Sequence, residues 1–530
     1  MINRISRLQK PFHRISRSRN RTLFCVCLTP QISLFSNAAW MNPSVRPRLP
    51  FARRAHSTRQ EQEMTGHALE IVKEAIQAVD PYAAVESNFR LSDDSTLEIG
   101  NSQFNLDNFD KIVLVSFGKA SSAMATAVLQ QLQKHGDKHI KSNFLGAVIC
   151  KDDHATDDEQ SILKEYGIEV FSASHPVPDD RSALAAEYTL NLVEKHASES
   201  TLILCCISGG GSALFCKPRE ELTLKDLQDV NSCLLASGMD IQQMNIIRKR
   251  LEDGKGGRLA ALGYPSQMVT LVLSDVLGDP LDLIASGPSV PDLSTWDDAW
   301  EIIERYKLTE SLPSKVIDLV QDGKDMKLPD SPSPDHPVFK TTKTALVGNN
   351  ALAVDAAARA AERLGYNPVV LGTQIEGEAK EVANVYTRMA LYLQNQKENQ
   401  KYSIAPSLPV AMIAGGETTV SLTPHNSGIG GRNQELALSA ALHLAALNTS
   451  NIVLASVGTD GTDGPTDAAG AVVDSTTVSK DVKAAQKALT NHDAYTYFDQ
   501  LGKAENGKYP LIKTGPTGTN VADICVTLIR

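Results

Sequence analysis

The sequence predicts an α/β protein built on a mainly parallel sheet, in two successive α/β sections. Three observations carry this. Short, continuous apolar runs rich in β-branched residues alternate with stretches of helical periodicity, the pattern of parallel strands buried on both faces. Nearly every such run ends in a glycine-rich loop carrying hydroxyl, acidic or lone basic residues. A Pro- and Asp-rich segment, DGKDMKLPDSPSPDHPVF at 322–339, separates the two sections as a linker or long surface loop.

The elements follow in order. After Thr65, HALEIVKEAIQAV repeats apolar residues at helical spacing. KIVLVSF (111–117) reads as a strand, Ala120 to about Lys134 as a helix and GAVIC (146–150) as the next strand, which is parallel α/β grammar. IEVFSAS, TLILCCIS and MVTLVLSD continue it. Beyond the linker come TALVG, the Ala-rich helix NNALAVDAAARAAERLG with Asn349 or Asn350 as N-cap, and YNPVVLG. QNQKENQKYSIAPS (394–407) reads as an exposed break. The last section holds PVAMIAGG, a helix from about Asn433 to Leu447, NIVLASVG and a terminal strand, DICVTLI. The boundaries drawn are a leader over 1–60, an N-terminal domain over 66–338 and a C-terminal section over 340–530.

Residues 1–60 carry eleven Arg, one Lys and no acid. An acid-free, Arg- and Ser-rich start of this kind reads as a mitochondrial transit peptide; initiation at Met41 or Met64 instead gives a cytoplasmic form. The following 470 residues hold 40 basic and 62 acidic side chains, a net charge of −22. That acidic body argues against nucleic acid or an anionic membrane as partner. No apolar run is long enough to span a bilayer. The eight cysteines form no C-x-x-C pair, which argues against structural zinc.

The loops hold the candidate chemistry. Gly118-Lys119 closes a strand just before a helix, where an ammonium beside helix amides holds phosphate. Ser208-Gly209-Gly210-Gly211-Ser212 is a glycine run suited to a backbone anion nest. In NIIRKRLEDGKGGRLA, Asn245 and Lys255 are expected to face a ligand, and Lys249 and Arg250 to be solvated. Asp275 ends an apolar strand, placed to hold Mg²⁺ or accept a hydroxyl proton. Glu417, in AGGETTV, is counted as a substrate contact. Arg432 sits in the first turn of a helix, where cations are disfavoured, and so is expected to serve an anionic ligand. Asp460 and Asp463 lie in the densest acidic loop, GTDGTDGPTD, as Mg²⁺ ligands. His175, in SHPVPDD, is a weaker candidate for substrate contact. GIGGRN and GKGGRL both narrowly miss G-x-G-x-x-G, which weakens a nicotinamide reading.

As an ordered set, SFGKAS, SHPVPD, ISGGGSAL, the N-x-x-R-K…KGG-R-L-A segment, LSDVLGDPLDLIASGP, AGGETTV, GGRNQELAL, GTDGTDGPTDAAG and TGPTGTNVADI resemble class II glycerate kinases, from about His67 to Arg530. The resemblance implies an N-terminal Rossmann-like domain, a smaller C-terminal α/β (MOFRL) domain over about 408–530, and an active site in the cleft between them. It implies D-glycerate as substrate, ATP as phosphoryl donor and Mg²⁺ as cofactor. The family's catalytic lysine falls on Lys119, its active-site arginine on Arg432 and its glycine-rich loop on Ser208–Ser212. The resemblance favours the 2-hydroxyl as acceptor, with the 3-hydroxyl as the other choice, and is similar to animal enzymes of serine and fructose breakdown. A hydroxypyruvate reductase and a non-catalytic binder of a phosphorylated metabolite are the alternative readings.

Overall fold

The structure, a computed structural model, describes residues 58–92, 95–134, 144–395, 406–422, 428–504 and 510–530. The leader up to residue 57 and most of the break at 394–407 lie outside the described residues. The described residues fall in one compact unit, Arg54–Arg530.

The first helix, Arg59–Gln77, opens on a capping box: the Thr58 hydroxyl accepts from the Glu61 amide, and Glu61 returns to the Thr58 amide. Met64, Ala68, Ile71, Val72 and Ala75 form its buried stripe, the i, i+4, i+7 spacing of an amphipathic helix.

Three short strands follow: β1 (Phe89–Leu91), β2 (Thr96–Ile99) and β3 (Ser102–Asn105), an antiparallel meander. The next six build the main sheet: β4 (Lys111–Phe117), β5 (Phe144–Lys151), β6 (Ile168–Ala173), β7 (Thr201–Ile207), β8 (Gln267–Leu273) and β9 (Thr342–Gly348). Their order is β6-β5-β4-β7-β8-β9, and every pair is parallel. Counted from its own first strand this is 3-2-1-4-5-6, the Rossmann order. Its strands read as unbroken apolar runs because both faces are covered. Cys206 packs on one face with Leu114 and Cys205 on the other with Val113 and Val115. Full burial of each aliphatic side chain contributes about 1.5–3 kcal/mol.

The second sheet holds β10 (Asn367–Glu378), β11 (Val410–Thr419), β12 (Ile452–Gly458), β13 (Gly470–Asp474), β14 (Leu511–Ile512) and β15 (Asp523–Ile529), in the order β10-β11-β15-β12-β13-β14. The last strand of the chain thus runs through the middle, antiparallel to β11 and to β12.

Two expectations change. TALVG, read as opening the second section, is β9 and pairs with β8 in the first sheet. The sheet therefore continues past the linker, whose own residues are pinned to the fold: Ser331 accepts from Arg250, and the Pro329 carbonyl accepts from the Trp296 indole at 3.0 Å. The helix Arg59–Gln77, conversely, packs on β12, β15 and the helix Asn350–Arg363, so the first described helix helps build the second sheet's layer. Asn349 caps that second helix as expected, accepting from the Leu352 amide.

Candidate active site

The order of the first sheet reverses between β4 and β7, and open α/β sheets bind ligands outside the strand ends at that point. The loops meeting there are Gly118-Lys119 after β4 and Ser208–Ser212 after β7. The Lys119 amide donates to the Gly209 carbonyl at 2.8 Å, and the Ala120 amide to the Ser208 hydroxyl at 3.0 Å. Gly118 has φ +129°, and a Cβ there would lie 2.2 Å from Ser208 Oγ. A Cβ on Gly209 would lie 2.0 Å from Asp275 Oδ2, so this glycine is fixed by the carboxylate beside it. The Gly209 and Gly210 amides donate to no group of the described residues.

Three side chains ring this loop. A Cβ on Gly210 would lie 2.9 Å from the His175 ring and 3.4 Å from Lys119 Cγ, and one on Gly209 would run into Asp275. Burial, then the charges of Lys119, Lys151 and His154, push the His175 imidazole down to about 4, so it is neutral at neutral pH. Burial raises the Asp275 carboxyl; Lys119 opposes this, and the nearby charge of Asp460 adds to it.

Behind the loop, Ser212 and Ser286 hydroxyls pair at 3.0 Å, and Ser286 donates to Asn245 Oδ1 at 3.4 Å. Lys255 Nζ donates to the Ser212 carbonyl at 2.8 Å and pairs with Glu252 at 2.6 Å. The Gly256 and Gly257 amides bond the carbonyls of Ser286 and Gly287, where Ala285 and Ser286 adopt φ +50° and +61°. Such left-handed non-glycine residues cost of order 1–3 kcal/mol each and persist where surroundings fix them. Asn245 and Lys255, expected to face a ligand, are 3% and 2% exposed, and their polar atoms brace the loop from within. Lys249 and Arg250, expected in solvent, are also buried. Lys249 pairs with Asp282 and Asp292, and Arg250 with Asp292, beneath the Asp292–Ser294 turn.

The second sheet contributes its own rim. Asp523, the first residue of β15, lies in register between Gly416 on β11 and Gly458 at the end of β12. Arg432 opens the helix Arg432–Ala446. It donates through Nε and Nη2 to both Asp523 oxygens at 2.6 and 2.9 Å, and through Nη1 to Glu417 at 2.8 Å. The unfavourable position at a helix N-terminus is thus balanced by two carboxylates. Burial would lower its pKa, but Asp523 and then Glu417 outweigh that and hold it above its ordinary value. Arg432, Glu417, Glu376, Thr418, Thr419 and Val420 line a cavity of about 400 Å³.

Asp463 is not placed as an open metal ligand. Its carboxylate accepts from the Asn433 and Gln434 amides at 3.1 and 2.8 Å, capping that helix, and burial pushes it up to about 6. Asp460 is bound by the amide and hydroxyl of Thr462. No cluster of three His, Cys, Asp or Glu side chains able to hold a metal occurs among the described residues. Mg²⁺ sites on nucleotides commonly use one or two carboxylates plus phosphate oxygens and water. Asp275 and Asp460, whose charge lies near enough to raise the Asp275 carboxyl, fit that lesser demand.

The two rims join. Asn520 Nδ2 donates to Asp275 at 3.4 Å, and Asp460 and Asp523 both approach Gly458. Lys119, Asp275, Asp460, Asp523, Arg432 and Glu417 form one polar strip across the ends of both sheets. Sequence reasoning did not single out Asp523, Asn520, Glu252 or Ser286. A carboxylate opening the strand DICVTLI was the available signal for Asp523.

The description "domain of unknown function (DUF4147)" belongs to the family model that matches residues 67–321, and the MOFRL family model matches 410–523. The D-glycerate 2-kinase of Thermotoga maritima is 37% identical over 467 residues, covering 87% of this chain and 97% of that protein. A putative hydroxypyruvate reductase of Agrobacterium vitis is 37% identical over 422 residues, 79% of this chain and 99% of that protein. A crystal structure of glycerate kinase from Thermotoga maritima superposes with a TM-score of 0.72 at 35% identity, covering 88% of this chain and all of that one.

Proposed function

This chain belongs to the class II glycerate kinase family, and from that premise we propose that it transfers the γ-phosphoryl group of ATP to the 2-hydroxyl of D-glycerate. The carrying observation is the meeting of Lys119 with the Ser208–Ser212 loop at the sheet's switch point, with Asp275 against the same glycines. Phosphoryl transfer asks chiefly for positioning and charge neutralisation. The free Gly209 and Gly210 amides and the Lys119 ammonium suit phosphoryl oxygens. Asp275, its carboxyl raised by burial, suits a proton acceptor for the attacking hydroxyl. Arg432 is the cation at the far end of the strip, suited to the glycerate carboxylate. Asp460 would hold Mg²⁺, which when bound neutralises charge on the phosphates. Asp463, Asn245 and Lys255 support the site without touching ligand.

The acid-free, Arg-rich leader supports a mitochondrial protein, and the family resemblance supports a role in serine and fructose breakdown; loss of mitochondrial import on deleting residues 1–57 is the expected result. No helix of the described residues is long and apolar enough to cross a membrane.

The test is ADP release from Mg-ATP that depends on D-glycerate. Lys119→Ala is expected to lower kcat by two or more orders of magnitude, as loss of a group meeting transition-state charge does. A folded Lys119→Ala protein with normal turnover would remove that residue's role. The name of the Agrobacterium vitis relative favours a reductase as second reading; NADH oxidation with hydroxypyruvate, and no ADP formed with glycerate, would establish it instead.

A further inference from the structure

We infer that Glu417 is a resident anion, occupying the outer seat of Arg432 until a carboxylate or phosphoryl group of a ligand displaces it. The inference deepens the reading of Arg432 as an anion-binding group and rests on it.

The two partners of Arg432 differ in kind. Asp523 is bidentate, its side chain is 10% exposed, and it also accepts from Asn433 Nδ2 at 3.0 Å. It is anchored mid-sheet, between two strands. Glu417 makes one ion-pair contact and its side chain is 44% exposed, while Arg432 itself is 34% exposed. Bidentate, braced pairs are the strong ones; single exposed pairs hold weakly. An incoming anion therefore takes the place of Glu417 and leaves Asp523 in position.

The neighbourhood favours exchange as well. Glu376 on β10 stands in register with Glu417 on β11, and both line the cavity that Arg432 faces. Like charges directly opposite on neighbouring strands repel, so Glu417 is held there by Arg432 alone among the charges of that cavity. With Asp523, Glu417 and Glu376 against one guanidinium, the free cavity is acidic. An anion gains full access to Arg432 only as Glu417 swings out. Glu417 thereby sets the threshold for anion binding: it is a specificity-determining residue that competes with ligand.

The test uses inorganic sulfate as probe, with affinity measured by calorimetry in the absence of nucleotide. Glu417→Gln, with Glu417→Ala as second variant, is expected to bind sulfate roughly two- to fivefold more tightly, the factor an exposed ion pair corresponds to. The KM for D-glycerate is expected to fall by a similar factor. In an Arg432→Met background the same substitution is expected to leave sulfate affinity unaltered. Unchanged or weaker sulfate binding by both variants, or a gain that persists without Arg432, would overturn the inference. Because sulfate binding needs no turnover, a failed kinase reading and a failed exchange at Arg432 give different results.

Discussion

Lys255 Nζ reaches the Ser212 carbonyl at 2.8 Å from a fully buried position, and Glu252 neutralises it at 2.6 Å. An ion pair inside the protein thus holds the end of the glycine loop. Breaking such a pair from one side is costly because the remaining charge is stranded.

Glu252→Gln is therefore expected to destabilise the protein by about 3 kcal/mol in urea unfolding. Glu252→Gln combined with Lys255→Met is expected to recover much of that loss, since no buried charge is left alone. Additive losses in the double variant would contradict the pair.

Gly209→Ala is expected to lower kcat by roughly a hundredfold, because its Cβ would stand 2.0 Å from Asp275 Oδ2 and small displacements at a reacting centre are costly. Gly66→Ala serves as the contrast. It lies inside the helix Arg59–Gln77 with nothing within 4 Å of an added Cβ. It is expected to stabilise by about 0.5–1 kcal/mol without touching turnover. Steady-state rates and thermal midpoints of the two variants check both statements.

His175 gives a signed pH dependence. Its folded pKa, about 4, lies below the ordinary 6.5, so the unfolded chain binds its proton first. Stability is then lost as pH falls from about 6.5 towards 4. His175→Gln is expected to lose less over that window, by on the order of 1 kcal/mol after allowing for partial exposure. Parallel unfolding curves for the two proteins across the window would show the imidazole to be unperturbed.

The first turn of the helix Arg59–Gln77 makes a further prediction. Beginning at Met64 removes the Thr58–Glu61 capping box, the Glu61 bond to the Asn451 amide and the Glu63–Arg530 pair. A protein begun there is expected to be about 2 kcal/mol less stable than one begun at Thr58. Equal denaturant midpoints would show that this first turn adds nothing.

The sheet strands and the loops after them were legible because fully buried parallel strands leave continuous apolar runs, as in TLILCCI, and because Gly118 and Gly209 are required by close approach. The Asn349 cap was legible for a local reason, a side chain bonding three residues on. What lay beyond reach depended on segments distant in sequence. Asn245 and Lys255 turn inward because the Ala285–Gly287 turn folds over them. Lys249 and Arg250 are buried by Asp292 and Ser331. Asp463, indistinguishable from Asp460 in an acidic loop, caps a helix through the Asn433 amide, 30 residues earlier in the chain. The placement of β15 between β11 and β12, which sets Asp523 under Arg432, is a matter of strand order that no local pattern records.

The most direct test of the central claim is the ³¹P NMR spectrum of the product formed from Mg-ATP and D-glycerate. The account predicts 2-phosphoglycerate, formed with Lys119 intact and lost with Lys119→Ala. A spectrum in which ATP stays whole, or in which the Lys119→Ala protein gives the same product at the same rate, would contradict it.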